Sequence, residues 1–259
     1  QFPSHNTVCV DGISSYPVMK SNHSFDLLSC FPASAEPGKA FTSVTYSNLY
    51  FREPESRADQ TRMMSIVTTG AETGYYVDVF RSRKEKGGDK MHDYFYHNLG
   101  QTLTLTAADG SDLNLQPTEE LAFAGAHLYA YSYLYDKKVA ATAKDVKATF
   151  TIDMKDKDGD DIYMNLWMKG EPDREVFTAL APMTEGLSRT PNMPYNIKEQ
   201  PTLTFVARQH GEAWNRPFVS IYEPSTKKEP SAIQSVSYFD AEGAGLEDFA
   251  GICVKSKNG

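Results

Sequence analysis

The sequence predicts an all-β protein: a large antiparallel β-sandwich followed by the start of a small second β unit. Three observations carry that expectation. Apolar and polar residues alternate with period two in short runs, Gly, Pro, Asn and Asp punctuate the runs, and no stretch sustains a helical repeat. Aromatic residues make up 12% of the 259, with 15 Tyr and 14 Phe. Such side chains suit pleated surfaces, and they also suit stacking on sugar rings.

Taken in order, alternating runs at 7–10, 43–46, 64–68, 75–81, 93–97 and 102–106 read as strands. Further runs at 148–153, 162–168, 202–208, 218–222, 233–239 and 249–255 complete the set. Residues 118–123 allow a turn or two of helix. Lys86-Gly87-Gly88-Asp89 and the Asp-rich stretch 156–161 read as hairpin turns, because Gly and Asp supply the backbone conformations that tight connections need. Stretches 34–39, 51–60 and 183–200 read as irregular, the last with Pro191 and Pro194 and ending before Pro201. Glu229-Pro230-Ser231 marks a boundary between a sandwich over 1–228 and a C-terminal unit over 229–259 that is either a new β unit or closing strands. The chain enters a strand at once and stops soon after one, which reads as a piece of a longer protein.

Composition then excludes classes. With 26 Lys and Arg against 34 Asp and Glu the formal net charge is −8, which disfavours nucleic acid as a partner. The same balance leans toward a lightly sulfated or non-sulfated glycan over a heavily sulfated one. No apolar run is long enough to span a bilayer. Gln1-Phe2-Pro3-Ser4 lacks the charged and apolar regions of a signal peptide. Cys9, Cys30 and Cys253 are too few for a disulfide scaffold and lack metal-ligand spacing. Cys9 and Cys30, both in strand-like segments, either pair or stay as buried free thiols.

Four motifs then occur in order. His5-Asn6-Thr7-Val8-Cys9-Val10-Asp11-Gly12 resembles a signature of the heparinase II/III-like polysaccharide lyases. The run from Gly74 through Tyr75, Tyr76, Val77, Asp78, Val79 and Phe80 to Arg81, the run His92-Asp93-Tyr94-Phe95-Tyr96-His97, and the pair Gly211–Phe218 and Tyr222-Glu223-Pro224 resemble later strands of that family's sandwich. The resemblance covers roughly residues 1–224. It implies a uronate-cleaving lyase whose catalytic cleft lies between this sandwich and a missing N-terminal α/α toroid, so that the chain alone is inactive. The toroid is expected to supply a catalytic tyrosine and a carboxylate-binding Asn or His. Periplasmic or secreted localisation and an acidic polysaccharide partner follow from the same resemblance.

β-Elimination at a uronate removes the weakly acidic C5 proton and expels the sugar linked at O4. The carboxylate must be neutralised, a base must take the proton, and an acid must protonate the leaving oxygen. The resemblance makes His5 the sandwich residue that reaches the cleft, as base or carboxylate partner, with Asn6 orienting it or donating a hydrogen bond. On residue chemistry alone, His5 would be a strand-edge histidine bonded to backbone. Trp214, Arg216 and His92 are the expected substrate contacts, although core packing for Trp214 and a salt bridge from Arg216 to Glu212 or Glu223 are the simpler readings. His92 and His97, five apart in a strand, point to opposite faces, and Asp78 is placed to pair with one of them. His127 reads as a core or edge residue. A family zinc site would use His5, His23 or Asp26, and a third ligand near Arg62-Met63-Met64, where methionines stand instead of histidine. A calcium loop at 156–161 would want Gly at Asp161 and Glu at Trp167. No metal and no cofactor is therefore expected. The competing reading is a non-catalytic carbohydrate-binding or structural sandwich of a secreted protein.

Overall fold

The computed structural model describes residues 2–13, 24–32, 43–122, 129–154, 159–184, 199–241 and 249–257. Strands follow in order as β1 (Val8–Val10), β2 (Asp26–Phe31), β3 (Val44–Glu53), β4 (Ala58–Thr68), β5 (Gly74–Lys84), β6 (Met91–Asn98), β7 (Thr102–Ala107) and β8 (Gln116–Pro117). The second half holds β9 (Tyr135–Ala141), β10 (Val146–Ile152), β11 (Ile162–Met168), β12 (Glu175–Ala181), β13 (Thr202–His210), β14 (Ala213–Thr226), β15 (Ile233–Phe239) and β16 (Gly251–Ser256). Short 3-10 helices stand at Phe2–Ser4 and Tyr129–Tyr133.

Two antiparallel sheets face each other. One has six strands in the order β1-β6-β13-β12-β9-β8, the other eight in the order β2-β3-β4-β5-β14-β11-β10-β7. The all-β sandwich expectation therefore holds. Its core is drawn from alternate positions of both sheets, including Val8, Val10, Phe80, Tyr94, Phe150, Leu166, Phe205 and Phe218. Burying each such side chain contributes about 1.5–3 kcal/mol relative to leaving it in water.

Both sheets are also covered on their outer faces. Outside the six-stranded sheet, Cys9, Phe95, Phe177 and Val206 pack against Leu121, Tyr131 and Leu134. Outside the eight-stranded sheet, Val77, Val79, Trp167, Val219 and Ile221 pack under the β15–β16 hairpin through Ile233, Val236, Tyr238, Ile252 and Val254.

Several local expectations are corrected. Stretch 51–60 is not irregular, because β3 runs on to Glu53 and β4 starts at Ala58. The buried Glu53 carboxylate closes the turn by accepting the Ser56 and Glu55 N–H groups at 2.6 and 2.8 Å. Residues 118–122 form no helix. The Gly87-Gly88 segment is a crossover and not a hairpin, since β5 and β6 belong to different sheets. Both glycines have positive φ, 67° and 73°, a conformation that side chains resist. By contrast β10 and β11 do form a hairpin, paired from Ile152↔Ile162 to Val146↔Met168. Residues 155–158 of its turn lie outside the described residues. Asp160 and Asp161 accept backbone N–H groups of Lys228 and Met154.

Cys9 and Cys30 stay free, on strands of different sheets. No described helix is long and apolar enough to cross a membrane.

Candidate functional site

The segment carrying His5 is attached to the edge of the six-stranded sheet. β1 pairs with β6 through Val8↔Tyr94, Cys9↔Asp93 and Val10↔His92, and the Phe95 N–H donates to the Thr7 carbonyl at 2.9 Å. One step further out, the Asn6 side chain takes over the role of a backbone unit. The His97 N–H donates to Asn6 Oδ1 at 2.7 Å, and Asn6 Nδ2 donates back to the His97 carbonyl at 3.5 Å. That extra rung leaves the Asn6 backbone free to turn away from the sheet. His5, exposed to solvent, follows it out.

Beneath this turn lies a charge cluster that the sequence reading did not single out. Arg62 on β4 grips Asp78 on β5 with two hydrogen bonds, Nε–Oδ1 at 3.0 Å and Nη2–Oδ2 at 2.6 Å. Its third arm donates from Nη1 to the Asn6 carbonyl at 2.9 Å. Asp78, fully buried, also accepts from the Tyr94 hydroxyl at 2.8 Å, and Tyr94 shares a hydrogen bond with the Tyr222 hydroxyl. Burial pushes the Arg62 guanidinium toward neutrality, but the Asp78 carboxylate overcomes it and holds the guanidinium above its usual pKa. Burial also raises both tyrosines well above their ordinary range. Asp78 thus pairs with arginine and tyrosine, and not with His92 or His97. The only available signal was the register, which places Arg62 beside Phe80, two residues along from Asp78.

The two histidines do point to opposite faces. His92 lies with Tyr94 on the inner face, and its Nδ1 meets Ser82 Oγ at 2.9 Å. At 3.7 Å its Nε2 is too far from Asp89 for a hydrogen bond, and burial holds its pKa below the ordinary value despite the carboxylates around it. With 0% exposure His92 has no surface to offer a sugar. His97 stacks on Phe95 on the outer face, its Nε2–H donating to the Pro3 carbonyl at 2.6 Å and its Nδ1 facing Thr204 Oγ1 at 2.8 Å. Burial holds its pKa below the ordinary value.

Trp214 and Arg216 lie elsewhere. Ala213 sits opposite Ser82, and Ser82 contacts His92, so this group belongs to the His92 end of β6. Five residues at about 3.3 Å separate His92 from His97, roughly 17 Å along the strand. The half-buried Trp214 ring is covered by the Arg83 guanidinium at 4.1 Å from its centroid. Arg216 donates to the His210 carbonyl at 3.0 Å, and neither expected glutamate is its partner. Glu212 accepts the Trp214 and Asn215 N–H groups, while Glu223 holds the start of the C-terminal hairpin. Asp11 of the first motif is structural too. Its carboxylate accepts the Lys90 and Met91 N–H groups at 2.8 and 3.1 Å and pairs with Lys84 at 2.6 Å.

Beside His5 the eight-stranded sheet projects beyond its partner. Gln60 of β4 reaches the Val8 carbonyl, so β1 lies over β4 and no described strand covers the inner faces of β3 and β2. Toward this edge Phe25 and Leu27 at β2, Met64 and Ile66 on β4 and Tyr76 on β5 are 59%, 58%, 42%, 48% and 40% exposed. The face continues into a groove of ≈ 600 Å³ lined by Ile66, Tyr76, Ile162 and Pro224 with Glu72 and Glu229 at its rim. Among the described residues no three His, Cys, Asp or Glu side chains gather as a metal site. His23 and His127 lie outside those residues.

Comparison with known proteins adds one strong match. The chain is 33% identical over 196 residues to an endo-acting ulvan lyase of Formosa agariphila, a stretch equal to 74% of this chain. The chain is related to a polysaccharide lyase. It spans 22% of that enzyme's length. No protein-family model matches the chain.

Proposed function

We propose that the chain is the β-sandwich part of a polysaccharide lyase of heparinase II/III type, cleaving a uronate-containing glycan by β-elimination. The observation that carries this reading is the place of His5. In a chain related to a lyase, a solvent-facing imidazole adjoins Asn6, which is held by Arg62 of β4, a strand whose Met64 and Ile66 are exposed. An α/α toroid seated there would close a cleft with His5 on its wall and bring the tyrosine and the carboxylate-binding group that elimination also requires. The isolated sandwich is then inactive.

Within that cleft His5 takes the C5 proton or meets the uronate carboxylate. A histidine suits either role, because its charge changes near neutral pH. Asn6 orients it, since both ends of the Asn6 amide are already engaged with His97. Trp214 and Arg216, remote from His5, would meet the polymer away from the reacting unit. The glycan to try first is ulvan, the polymer for which the relative is named. With a polysaccharide substrate, the periplasm or the cell exterior is the location to expect.

A second reading, a non-catalytic carbohydrate-binding sandwich, draws on the aromatic-basic stack of Trp214 and Arg83. One experiment separates them: ultraviolet absorbance of unsaturated uronate is followed on ulvan and on a panel of other uronate polymers. The natural full-length protein should produce it, His5→Ala should abolish it, and the 259-residue chain alone should produce none. Glycan binding by the full-length protein without any unsaturated product would favour the second reading.

A further inference from the structure

We propose that His97 and Arg62 are positioning residues that fix the direction of His5 by pinning the residues on either side of it. The inference rests on the reading of His5 as the reacting histidine. Among the described residues no hydrogen bond or ion pair holds the His5 side chain, and its placement comes from its neighbours in the chain. On the N-terminal side, Pro3 is buried and its carbonyl receives the His97 Nε2–H at 2.6 Å. On the C-terminal side, Asn6 is held three times: its side chain by the His97 N–H and carbonyl, and its own carbonyl by Arg62 Nη1. His5 lies between the two pins.

Each pin is itself immobilised from a different direction. His97 is fixed through Nδ1 by Thr204 on β13 and by stacking on Phe95. Because the Pro3 carbonyl can only accept, Nε2 carries the proton and Nδ1 accepts from the threonine hydroxyl. Arg62 is fixed by the buried Asp78, which Tyr94 and Tyr222 back from the core. The network thus joins both sheets to one exposed tripeptide. A group held this way meets a substrate in one geometry, and small misplacements of a reacting group are costly. All three guanidinium nitrogens of Arg62 are committed within the protein.

The test uses the natural full-length lyase. His97→Phe keeps a ring on Phe95 and removes the bond to Pro3, so kcat should fall about 10- to 100-fold with KM changed less than about 3-fold. His97→Gln restores a donor toward Pro3 and should recover at least half of that loss on a logarithmic scale. Arg62→Lys keeps a positive charge for Asp78 but cannot reach Asp78 and Asn6 together, and should lower kcat in the same way. Thermal melts accompany each variant, and Thr204→Val, which frees the His97 ring and gives up a long bond to the Thr202 carbonyl, replaces any variant that does not fold. An unchanged kcat in folded His97→Phe and Arg62→Lys, while His5→Ala is inactive, would overturn the positioning role alone. Full activity in His5→Ala would instead overturn the reading of His5 on which it rests.

Discussion

At His97 a buried ring makes the protein's stability depend on pH. Burial holds the imidazole pKa below its ordinary value, outweighing the Pro3 hydrogen bond, and nearby His5 lowers it further. His92 is depressed for the same first reason. In the unfolded chain both return toward the ordinary 6.5. Below that value the unfolded state therefore binds protons that the folded state refuses, and stability falls as pH falls, levelling only below the depressed folded values. Above 6.5 neither ring contributes a slope. The urea midpoint should accordingly be flat from about pH 8 to 7 and drop steadily toward about pH 5. His97→Gln should remove part of that drop and leave the His92 part. A midpoint that stays level down to about pH 5 would mean that these rings are not held neutral.

At the scale of elements, the C-terminal hairpin depends on one buried carboxylate. Glu223 on β14 is 4% exposed and accepts the Ala232 and Ile233 N–H groups at 2.7 and 3.2 Å as well as the Ser231 hydroxyl. Glu223→Ala leaves those backbone donors unpaired, at a cost of about 1–3 kcal/mol for each buried group. Hydrogen exchange should then show lost protection in β15 and β16 and unchanged protection in β6 and β13. Equal loss everywhere would show that the hairpin is part of the sandwich's own cooperative unit.

The sequence disclosed the elements unevenly, and the reasons are physical. Strands with one wet face alternate visibly, as in β10, whose burial alternates along Val146–Ile152. β12 was invisible because Val176 and Phe177 are both buried, one in each core, so the alternation vanishes. β2 was hidden by a bulge between Leu27 and Ser29 that breaks its period. The His5-Asn6 motif was legible from resemblance. Arg62 was not, because its role is set by a register that brings residues 62, 78 and 94 together.

The molecule as a whole is asymmetric: one sheet is larger than the other, and the excess is apolar. Among the described residues six strands face eight, and Met64 and Ile66, exposed on β4, follow Arg62, which holds the residue after His5. An exposed edge strand such as β2, with Phe25, Leu27 and Leu28 all more than half exposed, invites association unless it is covered. If the toroid of the proposed lyase covers it, a charge placed there should harm the assembled enzyme far more than the sandwich. Met64 is the place to test this, being 42% exposed on the inner face, directly across from Asp78 and two residues from Arg62. Met64→Arg should leave the melting temperature of the 259-residue chain almost unchanged, as exposed substitutions usually do within about 0.5 kcal/mol. In the full-length protein the same change would put an unpaired guanidinium inside an apolar interface, where desolvating a charge costs several kcal/mol. Lyase activity should fall at least about 10-fold there, with protease-sensitive separation of the two parts. Full activity in that variant would show that the face stays open in the working protein, and the cleft would then have to be sought on another side of His5.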